Sequence, residues 1–170
     1  MLSVGEKFPL FDLTGVGINN DIINISTGDI VNDWAVIYFY PKDFTFICPT
    51  EIQAMDLLVD HAQVIGISGD NEYCKLAWKE QSGSLITNIK HILAADLLLN
   101  LSDKLDIIDW KNKVCYRATF IIDPEGIVQH ASMNALDTGR NAHEILRTLQ
   151  ALQAGGLTGC NWQEGDGFVA

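Results

Sequence analysis

The sequence predicts an α/β layer fold with a mixed β-sheet. Two continuous apolar runs, "WAVIYFY" at 34–40 and "QVIGISGD" at 63–70, read as strands covered on both faces. Each is followed by a stretch with helical character. Later, "VCYRATFIID" at 114–123 and "GIVQHASM" at 126–133 flank Pro124-Glu125-Gly126 and read as a hairpin. The resulting order, strand–helix–strand–helix–strand–hairpin–helix, is that of a layered α/β domain.

Each element has its own justification. The run at 34–40 is rich in aromatic residues, Val and Ile, which suit a pleated, buried surface. From Pro49, "PTEIQAMDLLVDHA" predicts a helix with Ile52, Met55 and Val59 near one face and Leu58 beside them. The second strand, at 63–70, ends in a turn, and "NEYCKLAWKEQ" at 71–81 reads as helical. "HILAAD" at 91–96 supplies a third strand before the hairpin. "GRNAHEILRTLQALQAG" at 139–155 predicts a helix stopped by Gly155-Gly156. The residues beyond it read as a polar arm. The chain therefore divides into a domain at 1–154 and a C-terminal arm at 155–170.

Composition bounds the function. At 170 residues, 48% hydrophobic and 19% charged, the chain suits one globular domain with a single good core. A net charge of -11, from 22 acidic and 11 basic residues, argues against a nucleic-acid surface and against anionic membranes. No apolar run approaches the length of a membrane span. The opening "MLSVGEKFPLFDLTG" has neither a basic leader nor a long apolar stretch, so a cytoplasmic location is expected. Cysteines 48, 74, 115 and 160 form no Cys-x-x-Cys, and His61, His91, His130 and His143 make no ligand-like pair with them. That spacing argues against zinc, and neither a metal nor a cofactor is expected.

Cys48 stands in "FYPKDFTFICPTEI", at 39–52, where the predicted helix begins. A helix N-terminus offers unpaired N–H groups and a positive dipole end, which favour a thiolate. Pro49 suits the first helical position. Thr45 lies three residues before Cys48, so its hydroxyl can reach the same pocket, and Pro41 restricts entry to the loop. A buried, inert cysteine in a strand-to-helix turn is the other reading. Glu51 occupies the position where a dithiol oxidoreductase would carry its second cysteine, which excludes a local disulfide. Arg117 interrupts an otherwise apolar strand and needs partners there. It can form an ion pair with Glu51 or another acid, or stand beside Cys48, and the two roles are compatible.

Pro41-x-x-x-Thr45-x-x-Cys48 and the block around it resemble the signature of the typical 2-Cys peroxiredoxins, in their bacterial alkyl hydroperoxide reductase C branch. The resemblance spans nearly the whole chain. "VGEKFPLFDL" is similar to the family's N-terminal strand segment, and "LAWKEQ" carries its helix tryptophan, Trp78. "RATFIIDPEGIVQH" is similar to its second hallmark, with Arg117, and the late helix matches with Arg140 at its start. "CNWQEGD" is similar to the segment that holds a resolving cysteine and a tryptophan.

What the resemblance implies is a thioredoxin-like fold, a central mixed sheet flanked by helices. It also implies a thiol-dependent peroxidase acting on hydrogen peroxide and organic hydroperoxides. Cys48 would be the peroxidatic cysteine, with Thr45, Pro41 and Arg117 around it. Cys160 would resolve the sulfenic acid from another subunit of a homodimer, and such dimers often build rings. A thioredoxin, a flavoprotein-linked disulfide reductase or a Cys-x-x-Cys adaptor would restore the thiols. One departure concerns the arm. Most members place the resolving cysteine four residues before the tryptophan, where this chain has Thr158; Cys160 stands two before Trp162. A 1-Cys peroxidase resolved by an external thiol, and a redox-sensing or holdase interaction protein, are the alternatives. Cys74 and Cys115 read as small core hydrophobes.

Overall fold

A computed structural model describes residues 1–170. In chain order the strands are β1 (Asp12–Val16), β2 (Ile22–Ser26), β3 (Ala35–Phe39), β4 (Gln63–Ser68), β5 (Ile92–Ala95), β6 (Ile108–Asp109), β7 (Val114–Cys115), β8 (Arg117–Ile122) and β9 (Val128–Asn134). The helices are α1 (Cys48–Met55), α2 (Glu72–Glu80), α3 (Asn100–Lys104) and α4 (Ala142–Ala154). Seven strands form one sheet in the order β2-β1-β5-β4-β3-β8-β9, and β6 and β7 form a separate antiparallel pair. β3, β4 and β5 run parallel to one another, while β8 pairs antiparallel with β3. The sheet is therefore mixed, as expected.

The continuous hydrophobicity of "WAVIYFY" follows from its central place. Ile37 and Phe39 point into one core with Phe8, Ile65, Phe120 and Leu101 of α3. Val36, Tyr38 and Tyr40 point into the other, with Ile52 and Met55 of α1, Trp78 of α2, and Ile145 and Leu149 of α4. Full burial of such a side chain stabilises by about 1.5–3 kcal/mol, so both faces of β3 favour apolar residues.

Several boundaries differ from expectation. The helix predicted from Pro49 starts one residue earlier and ends at Met55, with a 3₁₀ turn at Asp56–Leu58 in place of further α-helix. The run 114–123 is split at Tyr116, because Cys115 pairs with Ile108 while Arg117 begins the pairing with β9. The helix expected from 139 begins at Ala142, where Asn141 accepts from the N–H groups of His143 and Glu144. The hairpin of β1 and β2 was not expected as such, since Gly15 and Gly17 dilute its apolar pattern. Gly15 is required by contact: a Cβ there would lie 2.7 Å from Leu93 O on β5.

The segment after α4 is less polar in its packing than its composition implies. Gly155 closes the helix at φ +71°, and no helix or strand follows. Trp162 is nevertheless buried. Arg147 Nη1 donates to Trp162 O at 3.2 Å, and Gln150 Nε2 donates to Glu164 Oε2 at 2.6 Å. These bonds tie Trp162 and Glu164 to α4 of the same chain.

Candidate active site

Cys48 is the first residue of α1, and Pro49 is the second. The proline still wastes no donor, because every N–H of a first helical turn lacks an intrahelical partner. Cys48 is only 1% exposed, in the core formed by α1, α4 and β3. Arg117, at the start of β8, reaches it across 69 residues of sequence: Nη1 donates to Cys48 Sγ at 3.4 Å. The same nitrogen donates to Glu51 Oε2 at 2.5 Å, and Nε donates to Leu136 O at 2.8 Å. Both readings of Arg117 are thus realised in one geometry.

Glu51 lies one turn after Cys48 and is itself buried. Its Oε1 accepts from the backbone N–H of Arg140 at 3.0 Å and lies 3.4 Å from Arg140 Nε. The Arg140 guanidinium also donates to Phe39 O and lies over the Tyr38 ring, 5.1 Å from its centroid. Two guanidiniums therefore share one carboxylate, leaving an excess of one positive charge beside the sulfur. Burial works against the charge of Arg117, but the Cys48 sulfur and then Glu51 outweigh it and hold Arg117 above its ordinary range. Burial lowers Arg140, with Glu51 opposing it.

Thr45 and Pro41 lie in the loop that leads to α1, and both are partly buried. The Thr45 hydroxyl donates to Lys42 O at 2.8 Å, not to the sulfur. The loop is tied to β4 and α2: Asp43 N donates to Asp70 Oδ2 at 2.8 Å, and the Phe44 ring stacks on Trp78 at 5.5 Å. Cys160 is exposed beyond α4, and all four cysteines are free thiols. The fold brings Cys48 and Arg117 together, whereas Cys160 is exposed in the segment after α4. Sequence reasoning named Glu51 only as an ion-pair partner and Arg140 only through the resemblance. The readable signal for Glu51 was an acid one turn into a helix whose neighbours are apolar.

The two remaining cysteines are poor nucleophiles. Cys115 Sγ donates to Tyr40 O at 3.0 Å, and burial pushes its thiol up to about 12. Burial, then Asp43 and Asp70, push Cys74 up to about 11.

Residues 4–131 match the sequence pattern of the AhpC/TSA family. The chain is 37% identical over 183 residues to alkyl hydroperoxide reductase C of Mycolicibacterium smegmatis, covering 98% of this chain and 92% of the relative. It is 39% identical to a chloroplastic 2-cysteine peroxiredoxin of Chattonella marina var. antiqua, over 89% of this chain and 81% of that one. Among solved structures, the reduced 2-Cys peroxiredoxin of Plasmodium vivax superposes with a TM-score of 0.91 at 35% identity, covering 98% of this chain and 92% of the other. AhpC of Mycobacterium tuberculosis superposes with a TM-score of 0.85 at 34% identity, covering 96% and 99%.

Proposed function

The chain belongs to the AhpC/TSA family and is a peroxiredoxin, a thiol-dependent peroxidase, and within that activity we propose that Cys48 is the peroxidatic residue and Cys160 the resolving one. The contact of Arg117 with the Cys48 sulfur at 3.4 Å, in a pocket with one uncompensated positive charge, carries the reading. That charge stabilises negative charge on the sulfur and on the oxygen that departs.

The Cys48 thiolate attacks one peroxide oxygen in line with the O–O bond. An S–O bond forms, the O–O bond breaks, and the leaving oxygen takes the electron pair and then a proton, giving water or an alcohol. Cys48 is left as a sulfenic acid. Because the Thr45 hydroxyl hydrogen is directed to Lys42 O, its oxygen is free to accept the peroxide O–H and orient it. Pro41 fixes the backbone at the start of the loop. The Cys160 thiol then condenses with the sulfenic acid, releasing water and forming a disulfide.

A disulfide needs Cα atoms about 4.4–6.8 Å apart, and a Cys48 that is 1% exposed can meet a thiol of a second chain only if the segment around it opens. The start of α1 unwinds, and residues 155–170 release their bonds to Arg147 and Gln150. We take residues 1–154 as the peroxidase domain and 155–170 as the arm that moves. Cys160 acts from a second copy in a homodimer, and dimers join into rings. A hydroperoxide is the substrate and a reductant completes the cycle. Its class is a thioredoxin-like protein, a flavoprotein-linked reductase or a Cys-x-x-Cys adaptor. No helix is long and apolar enough to cross a membrane. A reducing compartment such as the cytoplasm suits an enzyme that must regain two thiols.

Mass spectrometry of the reduced chain after one equivalent of peroxide tests this. One oxygen should appear first on the Cys48 peptide, followed by a disulfide linking it to the Cys160 peptide of a second chain. Initial oxidation at any other cysteine would remove the assignment of Cys48. A persistent sulfenic acid with no disulfide would replace Cys160 with an external resolving thiol.

A further inference from the structure

Asp43, Asp70 and Cys74 come from the loop before α1, the turn after β4 and the first turn of α2. Each offers a ligand atom within 4.8 Å of the other two. Asp43 is buried, at 4% exposure. Its Oδ1 already receives Tyr40 Oη at 2.8 Å and Lys75 Nζ at 3.4 Å, and lies 3.4 Å from Ser68 Oγ. Its Oδ2 is buried and receives no N–H or O–H donor, and the Cys74 thiol hydrogen-bonds the Asp43 carboxylate. Tyr40 and Lys75 occupy Oδ1, and the single Ser68 hydroxyl hydrogen is directed to Asp70 Oδ2 at 2.8 Å, so Oδ2 is the Asp43 oxygen left for a further ligand. We propose that Asp43, Asp70 and Cys74 form a site for a thiophilic divalent cation of the zinc class, with Asp43 Oδ2 as its buried anchor.

The charges close. Two carboxylates and a thiolate carry three negative charges. Lys75 supplies one positive charge at Oδ1, and a divalent cation supplies the other two. Cys74 is a free thiol and must lose its proton to become a ligand. Cation binding therefore releases one proton. A sulfur ligand selects zinc-like ions over magnesium and calcium. Zinc–sulfur and zinc–oxygen bonds of about 2.3 and 2.0–2.2 Å require ligand atoms roughly 3.5 Å apart. Asp70 and Cys74 are both partly exposed, so side-chain rotation can bring them in, and the open side leaves the fourth position to water. The sequence argument against zinc rested on Cys/His spacing. It did not weigh carboxylates, and Asp43 and Asp70 stand 27 residues apart and meet only in the fold. A cation bound there also fastens the loop carrying Asp43 to β4 and α2.

The test uses the full-length reduced chain with Cys48 and Cys160 both changed to serine, which removes the two thiols assigned to the redox cycle. Titration with cobalt(II) should produce a thiolate-to-cobalt charge-transfer band that saturates at one equivalent and is displaced by zinc. Zinc should raise the thermal midpoint of the same protein. Adding Cys74→Ser should abolish the band, and Asp70→Asn, which keeps a polar side chain of the same shape, should weaken zinc binding by at least tenfold in calorimetry. Absence of a band at about millimolar cobalt, or a band that survives Cys74→Ser, would overturn the proposal. So would zinc affinity unchanged by Asp70→Asn.

Discussion

Arg117 directs one nitrogen at both the Cys48 sulfur and Glu51 Oε2, so its removal and the removal of Glu51 have different consequences. Arg117→Met should slow the first oxidation of Cys48 by roughly tenfold or more, because a preorganised donor to the reacting charge is lost. Stopped-flow fluorescence with hydrogen peroxide would measure it, and an unchanged rate would return Arg117 to a purely structural role. Glu51→Gln leaves two buried guanidiniums without their carboxylate. It should cost about 3–5 kcal/mol of stability, read as a lower urea midpoint. Cys48→Ser should abolish peroxide turnover, since a serine hydroxyl is not ionised near neutral pH. Residual turnover with a dithiol reductant would refute the assignment. Thr45→Val should slow the same step, and Thr45→Ser should be milder because it keeps the oxygen.

Among the elements, strand existence was more legible than element ends. β3 and β4 were plain from their apolar runs, whereas the start of α4 depended on a cap. Asn141 accepts from His143 and Glu144, so Asn141→Ala should cost about 1 kcal/mol in equilibrium unfolding. The β1–β2 hairpin was missed because its distinguishing residue, Gly15, is defined by what it touches. Gly15→Val would drive a side chain into Leu93 O and Ala94 Cα and should destabilise by on the order of 1–3 kcal/mol. Unaltered stability in that variant would mean that β1 can separate from β5 at little cost.

For the whole molecule, the pH response follows from the buried His91 and the partly buried His130. His91 bridges Tyr38 Oη and Asp56 Oδ1, each at 2.7 Å. Burial lowers it below its ordinary 6.5, although Asp56 opposes this. Burial lowers His130 as well. The unfolded chain therefore binds more protons once the pH falls below about 6.5, and stability is lost there by at most about 1.4 kcal/mol per pH unit for each group. Urea midpoints should fall between about pH 7 and about pH 5.5, and His91→Gln should flatten that fall. A slope unchanged in His91→Gln would place the titration elsewhere.

By itself the sequence determined the layered α/β class, the central strands and the motif Pro41, Thr45 and Cys48. These are local: periodicity, a proline at a helix start and residues a few positions apart are all encoded by neighbours along the chain. Only the tertiary structure decided that Arg117 and Arg140 share Glu51 beside the sulfur, that Arg117 opens a strand separate from Cys115, and that Asp43, Asp70 and Cys74 converge. Those facts depend on strand register and on where α1, α2 and α4 dock. Contacts across 66 and 69 residues, as between Arg117 and Glu51 or Cys48, arise from packing that no short window of sequence contains.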